Sequence, residues 1–391
     1  MFFLSASHLF VFALVSVNLM GGVRYVFRLG EPETSPTYSE LPSEYFLFWD
    51  VMVGLMALIV LLKTRKLSLN AVVSYGALLA IALGVLLQAE SFHVRGAARS
   101  IILYGFLFLC IYSNSHWLNE RHLARALELL TIIGVSFLVY QYVQYVSHGV
   151  LPAHSHEGQL IRYGSFYDDS LVLGMLLPMF VGYFLQKFAT IHARILTSAI
   201  ATSVAVLTGS LTAMAVTAVY IVWSSRRHWY LLVTLATVYI YSYFQFLEQL
   251  TELWWFKAES IEGHLEGWQK IENVGLLTLT GLAPLDTFAE SGFLLLLYNF
   301  GILVVAIVLV FHVLTLLACH RILRSTNVFE VDTRAMAGAT EGLIISVLLG
   351  SMNLPIVIIA PVYLFVAILS AIAMRRRVGR AWRSLPVPSL V

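Results

Sequence analysis

The chain has 391 residues, 59% of them hydrophobic and only 12% charged, with a formal net charge of +2 and a mean hydropathy of +0.82. A soluble domain carries roughly a quarter charged residues, so this composition excludes an ordinary soluble enzyme and gives no basis for a nucleic-acid partner. Cys110 and Cys319 lie inside or at the end of hydrophobic runs, which leaves neither a disulfide framework nor a zinc site.

Apolar runs of about 20 residues, each long enough to cross a bilayer as a helix, recur along the whole sequence. They predict spans at 2–22, 46–63, 71–88, 101–118, 128–146, 171–188, 195–207, 211–224, 230–246, 293–318, 336–353 and 355–374. The first run has no basic n-region and is long enough to remain a span rather than a cleaved signal peptide. The seventh and eighth are short and read as a tilted pair pinched at "TGSLTAM". The expected fold is all-α: one polytopic membrane bundle over residues 1–391, with about twelve transmembrane helices and a large loop, 247–292, between spans nine and ten.

Lysine and arginine distribution sets the orientation. With both termini cytoplasmic, the inner segments hold Lys63, Arg65, Lys66, Arg121, Arg125, Lys187, Arg194, Arg226, Arg227, Arg321, Arg324, Arg334, Arg375, Arg376, Arg377, Arg380 and Arg383. The outer side keeps Arg24, Arg28, Arg95, Arg99, Arg162, Lys257 and Lys270. Among the acids, Glu120, Glu128, Glu330, Asp332 and Glu341 are assigned inside. The long loops, 23–45, 147–170 and 247–292, then lie outside. No P-loop or glycine-rich phosphate fingerprint follows a strand pattern, so chemistry is expected at the outer face without ATP. No internal repeat is visible, which weighs against transporters built from inverted repeats.

Polar groups gather at three places on that outer side. In "LIRYGSFYDDS", Arg162 stands about nine residues before span six. A guanidinium can clamp a phosphate with two parallel hydrogen bonds, or it can snorkel to headgroups or pair with Asp168 or Asp169. Those two aspartates, with Ser170, also suit a helix cap and first turn. The loop 247–292 carries Ile261, Leu265, Trp268 and Ile271 at helical spacing, bordered by His264, so an amphipathic helix lying on the membrane is expected. Trp254 and Trp255 suit an interfacial belt. Glu290, just ahead of span ten, is either a general base with a raised pKa under that lid or a helix-start acid. Asp50 near the end of span two is a further candidate. Arg95 and Arg99 either add positive potential beside Arg162 or pair with Glu90. "HSHEG", His154 to Gly158, is a weak metal signal, and no metal or cofactor is expected.

The order of these features resembles the O-antigen ligase and Wzy-type polysaccharide polymerase superfamily over roughly residues 125–374. "IRYGSFYDDSLVLGMLLP" looks like the family's R-x-x-G-x-F stretch entering a span. "LTGSLTAMAVTAVYIVW" is similar to its small-residue hairpin, and "GHLEGWQKIENVGLLTLTG" to its R-x-x-x-W lid. "ESGFLLLLYNFGILVVAIVL" is similar to the segment in which a polar residue precedes an aromatic-leucine run. Here Leu211 replaces the hairpin arginine, His264 the lid arginine, and the ligase branch's histidine near Glu290 or Ser291 is missing. These departures lean toward polymerase.

The resemblance implies a GT-C-like helical glycosyltransferase of the bacterial inner membrane, with an undecaprenyl-diphosphate-linked oligosaccharide as substrate. Membrane lipids and a chain-length regulator protein are the other partners it suggests. The implied reaction is inverting and metal-independent, with Arg162 holding the diphosphate and Glu290 as base. Arg95, Arg99, Lys257 and His264 would add positive or donor groups, and Tyr163, Phe166, Tyr167, Trp254 and Trp268 would stack on sugar rings. The alternatives are an O-antigen ligase, a polysaccharide transporter or flippase, and a non-catalytic envelope scaffold.

Overall fold

A computed structural model describes residues 5–27, 43–67, 69–148, 165, 170–224, 230–245, 265, 268–269, 271, 274–282, 284–286, 289, 291–325, 330–352, 354 and 360–383. Every regular element among them is helical. In chain order the long helices are α1 (Ala6–Phe27), α2 (Ser43–Lys63), α3 (Leu69–Gln88), α4 (Phe92–Ser113), α5 (Glu120–His148) and α6 (Ser170–Lys187). They continue as α7 (Ile191–Leu207), α8 (Leu211–Ser224), α9 (Tyr230–Gln245), α10 (Gly292–Ser325), α11 (Val331–Gly350) and α12 (Ala360–Arg383). A single helical turn, Leu276–Leu279, precedes α10.

Four of the described helices, α4, α5, α6 and α10, are long and apolar enough to cross a membrane, and shorter apolar stretches lie in α1, α3, α7, α8, α9 and α12. The exposed surface fits a lipid solvent: Leu62, Val73, Leu87, Ile132, Leu196 and Ile302 all face outward. The composition is therefore that of a membrane protein.

The centre of the bundle is the antiparallel pair α6 and α11, brought together by small residues. Gly174, Pro178 and Gly182 recur every fourth position on α6, as do Gly338, Gly342 and Ser346 on α11, so each set forms one face. Without side chains between them the backbones touch. A Cβ on Gly338 would drive into the Gly182 carbonyl, and one on Gly342 into that of Pro178. This is the small-residue packing that membrane helices use where apolar burial supplies no driving force between them. Ser346 Oγ donates to Met175 O at 2.6 Å, and Tyr220 OH of α8 donates to Gly338 O at 3.2 Å. That register sets Gly350 and Ser351 at the end of the bundle where α6 begins.

Cross-ties identify which termini share an end. At one end His8 stacks on His122 with centroids 4.0 Å apart, Ser7 Oγ accepts from Asn119 N at 3.0 Å, and Arg375 bonds His116. Lys187 and Tyr183 both donate to Glu128 there, and Arg121 approaches Asp332 at 4.0 Å. The described starts of α1 and the Arg375 region of α12 thus lie together at a basic end.

Two local features depart from uniform spans. The pinch between α7 and α8 is a tight turn with Gly209 at φ +59°. α10 is two helices, 292–300 and 302–325, joined at Gly301, where φ 82° and ψ 171° are non-helical. Gly281, at φ +78°, makes room for this break: a Cβ on it would lie 2.5 Å from Phe300 O, and one on Gly301 2.5 Å from Gly281 N. Only glycine reaches such angles at low cost. Broken backbone at membrane depth survives only when protein covers it, and the backbone of Leu279 and Gly281 lies against the break.

Glu341 falls within the predicted span 336–353. It is not at a loop: it sits midway along α11, only 5% exposed, with Trp223 Nε1 donating to Oε1 at 3.3 Å.

Candidate functional site

The end of the bundle opposite the basic one is assembled by three short segments that begin helices. The first leads into α6. Ser165, fully buried and left-handed at φ 58°, is seated against α5. Its amide donates to Gln141 Oε1 at 3.0 Å, Gln141 Nε2 donates back to its carbonyl at 3.2 Å, and its hydroxyl donates to Gly134 O at 2.7 Å. A non-glycine residue in the left-handed region costs roughly 1–2 kcal/mol, and these three buried bonds hold it there. Arg162, Tyr163, Phe166 and Tyr167, the candidates on either side of Ser165, lie outside the described residues.

The second segment leads into α10. Ser291 Oγ donates to Ser351 O at 3.0 Å, Gly292 N to Leu354 O at 2.8 Å, and Phe293 N to Ser351 O at 3.3 Å. Glu290 lies outside the described residues, but its neighbours Ala289 and Ser291 are both buried. Because Ser351 follows the α11 position opposite Ser170, the starts of α6 and α10 meet on the same end of α11.

The third segment leads into α4. Asp286, itself left-handed at φ 49°, places its carboxylate on the amides of Glu90 at 2.7 Å and Ser91 at 3.0 Å. Ser91, the residue before α4, makes no side-chain cap of its own, so Asp286 supplies the negative group that the positive end of a helix dipole favours. Leu285 N donates to Tyr298 O at 3.1 Å, tying the same turn to α10. Ala289, Leu294 and Tyr298 pack with Val85, Ala89 and Val94 of the α3–α4 hairpin in one apolar cluster.

Arg95 and Arg99 are one helical turn apart on α4 and both are exposed. Arg95 Nε donates to Ala89 O at 2.6 Å. Neither arginine is ion-paired to a described residue. Trp268 is 38% exposed and Leu265 56%, whereas Ile271 packs on the α3–α4 cluster. Lys257 and His264 lie outside the described residues, as do Asp168, Asp169, Trp254, Trp255, His154 and Gly158. Asp50 is exposed on α2.

The structure therefore brings Arg95, Arg99, Asp286 and the immediate flanks of Glu290 to one end of the bundle, with the seat of Ser165 on α5. Sequence reasoning missed Asp286, Gln141 and Ser165. A lone amide within an apolar span, Gln141, was the available signal. No group of three or more histidines, cysteines or acids among the described residues is arranged to hold a metal. No protein-family model matches the chain, and no curated protein matches it.

Proposed function

We propose that this protein is a glycan polymerase that moves an oligosaccharide from an undecaprenyl-diphosphate carrier to a lipid-linked acceptor. The proposal places the reaction at the periplasmic face of the bacterial inner membrane, with twelve crossings, both termini cytoplasmic and the 247–292 segment as an outer lid. The observation that carries it is the meeting of the α6 and α10 starts on one end of α11. That geometry supports a site shared by the segment carrying Arg162 and the segment carrying Glu290.

The chemistry needs little else. The anomeric carbon is already activated by its diphosphate, so no nucleotide enters. The acceptor hydroxyl attacks that carbon from the face opposite the diphosphate, the C–O bond to phosphate breaks, and Glu290 takes the hydroxyl proton. Arg162, with Arg95, Arg99, Lys257 and His264, stabilises the charge that develops on the departing diphosphate. Tyr163, Tyr167 and Trp268 orient sugar rings. A preorganised cationic site at the lipid boundary is worth more than the same charges in water, because the local dielectric is low.

Transport is the second reading, and Glu341 favours it, since an acid buried in a membrane helix marks a coupling or substrate path in many transporters. Cells lacking the protein separate these cases. A missing polymerase leaves lipid A core capped by a single repeat. A missing ligase leaves uncapped core, and a missing flippase leaves carrier-linked repeats on the cytoplasmic leaflet. Uncapped core or inward accumulation would overturn the polymerase assignment.

A further inference from the structure

The turn ahead of α10, read from sequence as part of a water-side loop, is apolar on its outside. Leu276 is 77% exposed, Leu277 61% and Leu282 69%, while Thr278 between them is buried. Single exposed leucines need no explanation, but three on one short turn form a patch that marks an interaction surface. Asp286 ties this turn to the tip of the α3–α4 hairpin through the amides of Glu90 and Ser91. Leu87 and Phe92 at that tip are exposed as well.

Two observations identify lipid as what covers the patch. The first is its level along α10. Ile322 packs with Ala337 and Ala373 at the basic end, and the exposed Arg321 beside it marks that boundary. Gly301 stands about 20 residues away on the same helix, which is about 30 Å at 1.5 Å per residue. That is the depth of the hydrocarbon core, ~30 Å. The break in α10 therefore lies where the core ends, with the backbone of Leu279 and Gly281 against it. Ile302 and Leu303, the next residues of α10, already face outward. The leucines of the turn continue that surface.

The second is the backbone of the turn, which bonds to itself. Leu279 N donates to Gly275 O at 3.1 Å and Thr280 N to Leu276 O at 3.0 Å. Leu282 N donates to Leu277 O and Gly281 N to Thr278 O, both at 3.0 Å, the paired closure that a glycine in the left-handed region permits at a helix end. Each carbonyl from Gly275 to Thr278 thus has a partner without water, as hydrocarbon demands. The amides of Leu276 and Leu277 make no bond to a described residue, which suits a seat at the polar boundary and not deeper.

We infer that the Gly275–Leu282 turn is a membrane anchor, seated in the outer leaflet with Leu276, Leu277 and Leu282 among the acyl chains of bulk phospholipid. The inference takes its side of the bilayer from the charge-based orientation and does not need the glycan-transfer reading. The stretch leading into α10 is then held at both ends, by lipid at the leucines and by Ser351 at Ser291.

Power-saturation spin-label EPR tests the seat on the full chain in liposomes of phosphatidylethanolamine and phosphatidylglycerol. Native Cys110 and Cys319 are buried, so Leu277→Cys carries the label. Ile302→Cys is the lipid reference and Arg65→Cys, at an exposed position, the aqueous one. The ratio of oxygen to nickel–EDDA accessibility at Leu277 should match that at Ile302 and exceed that at Arg65 at least about tenfold, one decade of partition. Leu282→Cys serves if the first variant is not monodisperse. A ratio at the Arg65 value puts the turn in water, and poor access to both reagents puts it under protein; either overturns the inference. Leu277→Ser combined with Leu282→Ser should speed hydrogen exchange of the peptide carrying Asp286 and Ala289 about tenfold, with α11 peptides unchanged. Unaltered exchange there would remove the anchoring role.

Discussion

Gln141→Leu is the most informative single substitution outside the proposed catalytic groups. It preserves size and suits an apolar helix, yet it removes both bonds between the side-chain amide and Ser165. Ser165 is fully buried, so its amide and carbonyl are left without those partners in a site with no access to water. Each orphaned group costs about 1–3 kcal/mol, so the seat loses about 2–6 kcal/mol for the pair. The left-handed backbone at Ser165, itself unfavourable by roughly 1–2 kcal/mol, then keeps the bond from its hydroxyl to Gly134 O. Hydrogen-exchange mass spectrometry in nanodiscs reads this directly. The peptide containing Ser165 should exchange faster by between about 30-fold and 10⁴-fold, one decade per 1.4 kcal/mol, while peptides of α11 stay protected. Unchanged exchange in a folded variant would show that Gln141 does not hold this segment, and the link from α5 to the Arg162 stretch would be lost.

Other substitutions probe the remaining joints. Asp286→Ala strips the carboxylate from the start of α4 and should cost about 1.5–3 kcal/mol, as a charged hydrogen bond does, read as a lower thermal midpoint with Asp286→Asn intermediate. Gly301→Ala forces an alanine into φ 82° with its Cβ against Gly281, so an unstable, poorly expressed protein is expected in fluorescence-detected gel filtration; normal yield would contradict the tight Gly281–Gly301 approach. Gly338→Ala should cost at least the roughly 1–3 kcal/mol of core overpacking, because a backbone carbonyl cannot step aside as a side chain can. Arg95→Gln and Arg99→Gln, both exposed, should change stability by no more than about 0.5 kcal/mol and lower glycan transfer; undiminished transfer would remove both from the diphosphate site.

Much of the helical framework was legible because one physical quantity, apolar run length, decides it. The α7–α8 pinch was legible too, since "TGS" cannot continue a helix comfortably. The central packing was written in the sequence as small residues, Gly182 on one helix and Gly338 and Gly342, four apart, on the other. Run length alone does not pair two such stripes. Glu341 falls inside the predicted span 336–353, but its burial and its bond from Trp223 are tertiary and no charge count announces them. Of the site, Arg95 and Arg99 read as part of the connection before a span at 101–118, whereas the helix begins at Phe92 and carries both. Its first two turns are too polar to register as an apolar run. The Asp286 tie was not legible, because it joins residues almost two hundred positions apart through a left-handed turn that aspartate tolerates and no local pattern announces.

The most direct measurement is release of undecaprenyl diphosphate from a lipid-linked repeat unit by the purified protein in liposomes, without nucleotide or divalent metal. Release coupled one-to-one to glycan elongation, lost on Arg162→Ala with the fold intact, is the expected result. Elongation undiminished by Arg162→Ala, or carrier movement across the bilayer with no diphosphate released, would contradict the account.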